Sequence, residues 1–135
     1  MTEYAATDTD GGYGDASYPK GVVLGTKGVY TVPASGAAGN GDTIAICTVP
    51  AGAVITNLVL TGSAGTNSLT ITVGDGTTAT AFGTVSDATG AFEHVGTGMN
   101  VETTAETDII LTLGGANPTA AHVYTCCVMY FMASD

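Results

Sequence analysis

Ser68-Leu69-Thr70-Ile71-Thr72-Val73-Gly74-Asp75-Gly76 alternates apolar and polar side chains, then stops on an aspartate between two glycines. A period of two puts Leu69, Ile71 and Val73 on one face of a strand and Thr70 and Thr72 on the other. The stretch therefore predicts a strand with one face in a core and one in solvent, closed by a turn. The same grammar extends upstream. Ala53–Thr61 reads as a strand with Ile55 facing opposite to Val54, Leu58 and Leu60. Asp42–Val49 puts Ile44, Ile46 and Thr48 on one face and Ala45, Cys47 and Val49 on the other, and Pro50-Ala51-Gly52 turns it. Val22–Thr26 and Val29–Val32 read as two short strands about Gly28.

Downstream, Thr77–Val85 is a weaker strand and Ser86–Gly98 mostly loop, with Met99–Thr104 and Thr107–Leu113 as the next strands. Ala121–Ala133 is the most apolar segment. Val123, Cys127, Met129 and Phe131 lie on one face and Tyr124, Cys126, Val128, Tyr130 and Met132 on the other. Apolar residues on both faces predict a strand covered on both sides, centrally in a sandwich or at a subunit contact. Abundant Thr and Val, glycine-marked turns and few Lys, Glu, Gln or Arg oppose helix. The predicted class is all-β, an antiparallel β-sandwich or jelly roll of about eight strands. It occupies residues 21–135 as one domain, after an extended N-terminal arm, residues 1–20.

That arm, MTEYAATDTDGGYGDASYPK, has no period of 2 or 3.6, but it carries Tyr4, Tyr13 and Tyr18. Tyrosine supplies large contact area at modest entropic cost and is common at interfaces. The arm is expected to order on a neighbour, with Tyr4, Tyr13, Tyr18 and Lys20 as contacts. Tyr124, Tyr130 and Phe131 are the next candidates, as core or inter-subunit packing.

Twelve acidic residues face two basic ones, Lys20 and Lys27, with no Arg, for a net charge of −10. Nucleic-acid binding draws on Lys and Arg to neutralise phosphates, so that class is disfavoured, as are anionic membrane surfaces. Leu, Ile, Val and Phe make up only about a fifth of the chain, near the ~20% floor for folding. A core this thin predicts further burial by oligomerisation or docking. The N-terminus has no basic start or apolar run, so a cytosolic protein with reduced thiols is expected.

No pattern of catalytic or metal-ligating residues emerges. Asp8-Thr9-Asp10-Gly11 looks superficially like a calcium loop, but Pro19 falls where the bidentate Glu belongs. His94, His122, Cys47, Cys126 and Cys127 lack zinc spacing, and Cys126 and Cys127 point to opposite strand faces. Asp75, Glu102, Glu106 and Asp108 sit beside Gly or Thr, and with Asp87 and Glu93 they read as solvated acids at turns and strand ends. No nucleophile elbow or phosphate loop is present. The expectation is no enzyme, no cofactor and no metal.

The run from Val49-Pro50-Ala51-Gly52 into Ala53–Leu60, then Val73-Gly74-Asp75-Gly76 and Phe82-Gly83, resembles a pattern in small bacteriophage virion proteins. Asp108–Leu113 and the aromatic C-terminal strand Tyr124–Phe131 extend the likeness to roughly residues 42–132. The resemblance implies a capsid decoration (cement) protein or a related head or tail accessory protein. Such proteins are often trimers on the outer capsid face that clamp neighbouring capsomers, which implies the major capsid protein and copies of the chain itself as partners. A fibre or tail accessory protein that binds a receptor or carbohydrate is the alternative. Lys20 and Lys27 flank the junction of arm and first strand, so that junction is expected nearest the capsid, with the acidic loops towards solvent.

Overall fold

The computed structural model describes residues 3–5, 8–10, 23–63, 69–87, 92–97 and 99–133, with side chains from residue 23 onward except at 87, 92 and 101. In chain order the strands are β1 (Glu3–Ala5), β2 (Asp8–Asp10), β3 (Leu24–Thr31), β4 (Thr43–Val49), β5 (Ala53–Gly62), β6 (Leu69–Gly74), β7 (Gly83–Asp87), β8 (Phe92–Val95), β9 (Val101–Glu102), β10 (Thr107–Gly114) and β11 (Val123–Met132). No helix occurs among the described residues.

The pairing has a simple logic. β6 and β7 are neighbours in an antiparallel hairpin. Outside them β5 pairs with β8, β4 with β10 and β3 with β11, each antiparallel. The chain is thus one long two-stranded ribbon folded at β6–β7. Wrapping the ribbon adds the antiparallel pairs β10–β6 and β11–β5. Two sheets result, with orders β4-β10-β6-β7 and β3-β11-β5-β8, the arrangement of a jelly roll. The predicted all-β sandwich is the observed fold. β1 extends the first sheet by a parallel pairing with β4, and β2 extends the second by an antiparallel pairing with β3.

β6 has the facing its sequence predicts, with Leu69, Ile71 and Val73 fully buried. β4 and β5 depart from simple alternation, and the cause is a bulge in each. Ile109 pairs with Cys47 but Ile110 pairs with Ala45, so Ile46 is an extra residue. Ile46 and Cys47 consequently both turn inward, and Thr48 turns out. On β5 the register skips Thr56, which brings Ile55 to the same inner face as Leu58 and Leu60. That corrects the expected opposite facing of Ile55. The two bulges flank the Pro50–Gly52 turn that carries the chain from one sheet to the other, where bending is needed.

Three further readings are corrected. The two strands read over Val22–Thr26 and Val29–Val32 are one, Leu24–Thr31, because Gly28 is paired on both sides, and Val22 lies outside the described residues. Ser86–Gly98 holds the end of β7 and all of β8. Met99–Thr104 yields only the two-residue β9.

Both open sides of the sandwich are drawn together. At β3–β4, Gly28 lies so close to the backbone of Ile46 that a Cβ would overlap its carbonyl. At β7–β8, the Phe82 carbonyl accepts hydrogen bonds from the Thr97 amide (3.0 Å) and from His94 Nε2 (3.1 Å). The core between the sheets is contiguous and contains Ile44, Ile46, Leu58, Leu60, Leu111 and Tyr124, each 0% exposed.

Candidate interaction surfaces

Among the described residues no element packs over the outer face of the second sheet. Lys27, Cys127, Val59 and Val95 stand side by side on β3, β11, β5 and β8. A neighbouring row holds Gly25, Met129 and Asn57, and beyond it Phe131 pairs with Val54. The exposed large apolar side chains among the described residues are Val23, Val95 and Met129. Val95 and Met129 both belong to this face, and Val23 leads into its β3 margin. Cys127 is also exposed. Clustered apolar exposure on one face marks interaction surfaces. Among the described residues, the expected cover on both faces of β11 is supplied on one side, by the first sheet.

The outer face of the first sheet differs in chemistry. Thr43, Thr112, Thr72 and Thr84 form one register row across β4, β10, β6 and β7. Thr70 and Ser86 pair beside them. Hydroxyl and methyl groups line this face, without charge in its middle.

Acidic residues gather at one end of the sandwich. A cleft of about 520 Å³ is lined there by Asp75, Glu102, Glu106, Asp108, Thr103 and Phe82 among others. Two of these carboxylates have structural roles. Asp75 Oδ1 accepts from the amides of Thr77 (3.0 Å) and Thr78 (2.8 Å), capping the turn after β6. Asp108 accepts from Thr48 Oγ1 at 2.8 Å across the β4–β10 pair. Among the described residues no three His, Cys, Asp or Glu side chains group to hold a metal ion.

The candidate contact residues fall in different places. Tyr4 lies in β1, paired with Ile44. Tyr13, Tyr18 and Lys20 lie outside the described residues. Tyr124 and Tyr130 are core residues at 0% and 1% exposure, whereas Phe131 is only partly buried, on the outer side of β11. Sequence reasoning missed Tyr30, whose hydroxyl accepts from the Ala38 amide at 2.9 Å inside the core. Of the two adjacent thiols on opposite faces of β11, Cys126 is the one that meets Cys47. Contact with the Cys47 thiol, together with burial, pushes the Cys126 thiol well above its ordinary range.

No family model matches the sequence, and no curated protein matches it either. Solved structures do share the fold. A chain of the Ralstonia phage GP4 capsid superposes with a TM-score of 0.71 and 16% identity, over 90% of this chain and 91% of that one. A chain of the cyanophage Pam1 capsid asymmetric unit gives 0.62 and 20%, over 89% and 91%. One from the acidic stable capsid of Helicobacter pylori bacteriophage KHP30 gives 0.57 and 17%, over 86% and 92%. At these identities the likeness is one of fold.

Proposed function

We propose that the chain is a structural component of a phage virion: a capsid decoration protein that binds the outer capsid surface and stabilises contacts between capsomers. The observation that carries this reading is the jelly roll shared, nearly end to end in both partners, with chains from three phage capsid structures. Fold alone does not fix function, so the chemistry of the surface must agree with it, and it does. An open apolar face on the second sheet suits docking. A net charge of −10 suits a surface turned away from packaged nucleic acid and resistant to non-specific association.

In this reading the protein acts by binding, without catalysis or cofactor, and self-associates as a homotrimer. Tyr4 is taken up in β1 on the chain's own first sheet, which leaves the arm beyond β2, with Tyr13, Tyr18 and Lys20, to strap onto a neighbour, and Phe131 contributes from the outer face of β11. Lys27 belongs to the same face, so the second sheet turns towards the capsid and the acidic end cleft towards solvent. The test is reconstitution. Capsids lacking the protein are mixed with purified chain, and bound copies and heat resistance are measured. Saturable binding with a higher disruption temperature is expected; capsids that bind none of it, or gain no resistance, defeat the proposal.

A further inference from the structure

Cys47 and Cys126 lie on different sheets and far apart in sequence, yet three features bring them together. Gly28 has no side chain, so β3 rests directly on the backbone of β4 at Ile46, the residue before Cys47. Gly28 is also the register partner of Cys126, which sets β11 one strand spacing from that contact. The bulge at Ile46 then turns Cys47 inward, where simple alternation would have turned it out. The result is a pair of free thiols, 3% and 0% exposed, facing each other across the core. β4 and β11, although in different sheets, approach with Cα atoms within 8 Å, and a disulfide spans Cα atoms ~4.4–6.8 Å apart.

We propose that Cys47 and Cys126 are a modification site: a peroxide oxidant converts them to a disulfide that bolts the two sheets together. Hydrogen peroxide is small enough to reach a thiol that a bulky disulfide reagent cannot. The Cys47 sulfur, the more exposed of the two, displaces one peroxide oxygen as water and becomes a sulfenic acid. The Cys126 sulfur then attacks it, forming the S–S bond and releasing the second oxygen as water. Both sulfurs are oxidised by one electron each and the peroxide is reduced to two waters. Cys127, next in the chain, faces the opposite side of β11 and cannot substitute for Cys126.

The full chain and its Cys127→Ser variant, which changes only an exposed position, are treated with hydrogen peroxide, denatured and alkylated. In the variant no thiol is expected to remain reactive, and in the parent chain, whose exposed Cys127 also meets the oxidant, at most one of three. The variant should lose the mass of two hydrogen atoms, stay monomeric and yield a Cys47–Cys126 linked peptide. Its melting temperature should rise by about 5 °C or more, since the link closes a long loop of the unfolded chain. Dithiothreitol should reverse both effects. Three reactive thiols after oxidation, sulfinic acid without a link, or dimers joined through Cys127 with the other two thiols free would each overturn the proposal.

Discussion

Thr103 Oγ1 donates a hydrogen bond of 2.6 Å to the carbonyl of Pro50, the residue that opens the turn between β4 and β5. The same oxygen accepts from the Ala53 amide at 3.0 Å. The Thr103 backbone adds two bonds of 2.8 Å, one accepting from the Gly52 amide and one donating to the Ala53 carbonyl. One nearly buried threonine thus holds the corner where the chain changes sheets.

Thr103→Val keeps the shape and removes the hydroxyl. It leaves the Pro50 carbonyl and the Ala53 amide without that partner inside the fold. The expected cost is about 1–3 kcal/mol, read as a lower midpoint in urea unfolding. Thr103→Ser, which keeps the oxygen, should recover most of it.

Gly28 has no such latitude. Its neighbour is the Ile46 main chain, which cannot swing aside as a side chain can. Gly28→Ala is expected to cost at least ~3 kcal/mol and to yield little soluble folded protein. Gly25→Ala, on the same strand, meets only the Val128 carbonyl at 3.6 Å, an ordinary contact. It should express and melt much like the parent, and equal behaviour of the two variants would refute the close approach.

The sandwich was legible because most of its strands carry their burial in a period of two, β6 above all. What escaped were the bulges. Ile46 and Thr56 are chemically unremarkable strand residues, and only the register of the partner strand makes each one supernumerary. That is why the facing of Cys47 and Ile55 was misread. β8 escaped, and β7 (Gly83–Asp87) was placed too early at Thr77–Val85, for a different reason. They are short edge strands whose stability comes from their partners and from the Phe82–Thr97 and Phe82–His94 bonds, which are not local in sequence. The candidate surface was half legible: apolar residues on both faces of β11 announced a second layer of cover, but Val95 joins that surface only through β8.

Ala121 sits at φ = 73° with its side chain exposed. A Cβ in the left-handed region costs about 1–2 kcal/mol, part of which glycine gives back as unfolded-state entropy. Ala121→Gly is therefore expected to stabilise the protein by about 0.5–1 kcal/mol. A raised unfolding midpoint checks it, and a lowered one contradicts the strain.

The elevated pKa of Cys126 has a sign that can be tested. Above the ordinary thiol value of 9.0 the unfolded chain gives up a proton that the folded chain retains. Stability from this group is therefore complete below about pH 9 and declines as pH rises beyond it. Under reducing conditions, Cys126→Ala should unfold with a shallower alkaline decline than the parent. In the native state at pH 8, iodoacetamide should label Cys127 first, because it alone of the three is exposed.

The open face of the second sheet should decide docking if the protein decorates a capsid. Val95 and Met129 are 56% and 43% exposed, so Val95→Asn with Met129→Asn removes apolar surface while leaving the core and the net charge untouched. Stability should shift by less than ~1 kcal/mol, while affinity for capsids lacking the protein should fall at least ~10-fold, the equivalent of about 1.4 kcal/mol of lost apolar contact. Thr84→Asn with Ser86→Asn makes the matching change on exposed positions of the first sheet and should leave binding intact. The measurement is titration of capsids with labelled protein. If the first-sheet variant loses binding and the second-sheet variant keeps it, the threonine-lined face is the one that docks, and the assignment of Lys27 to the capsid side falls with it.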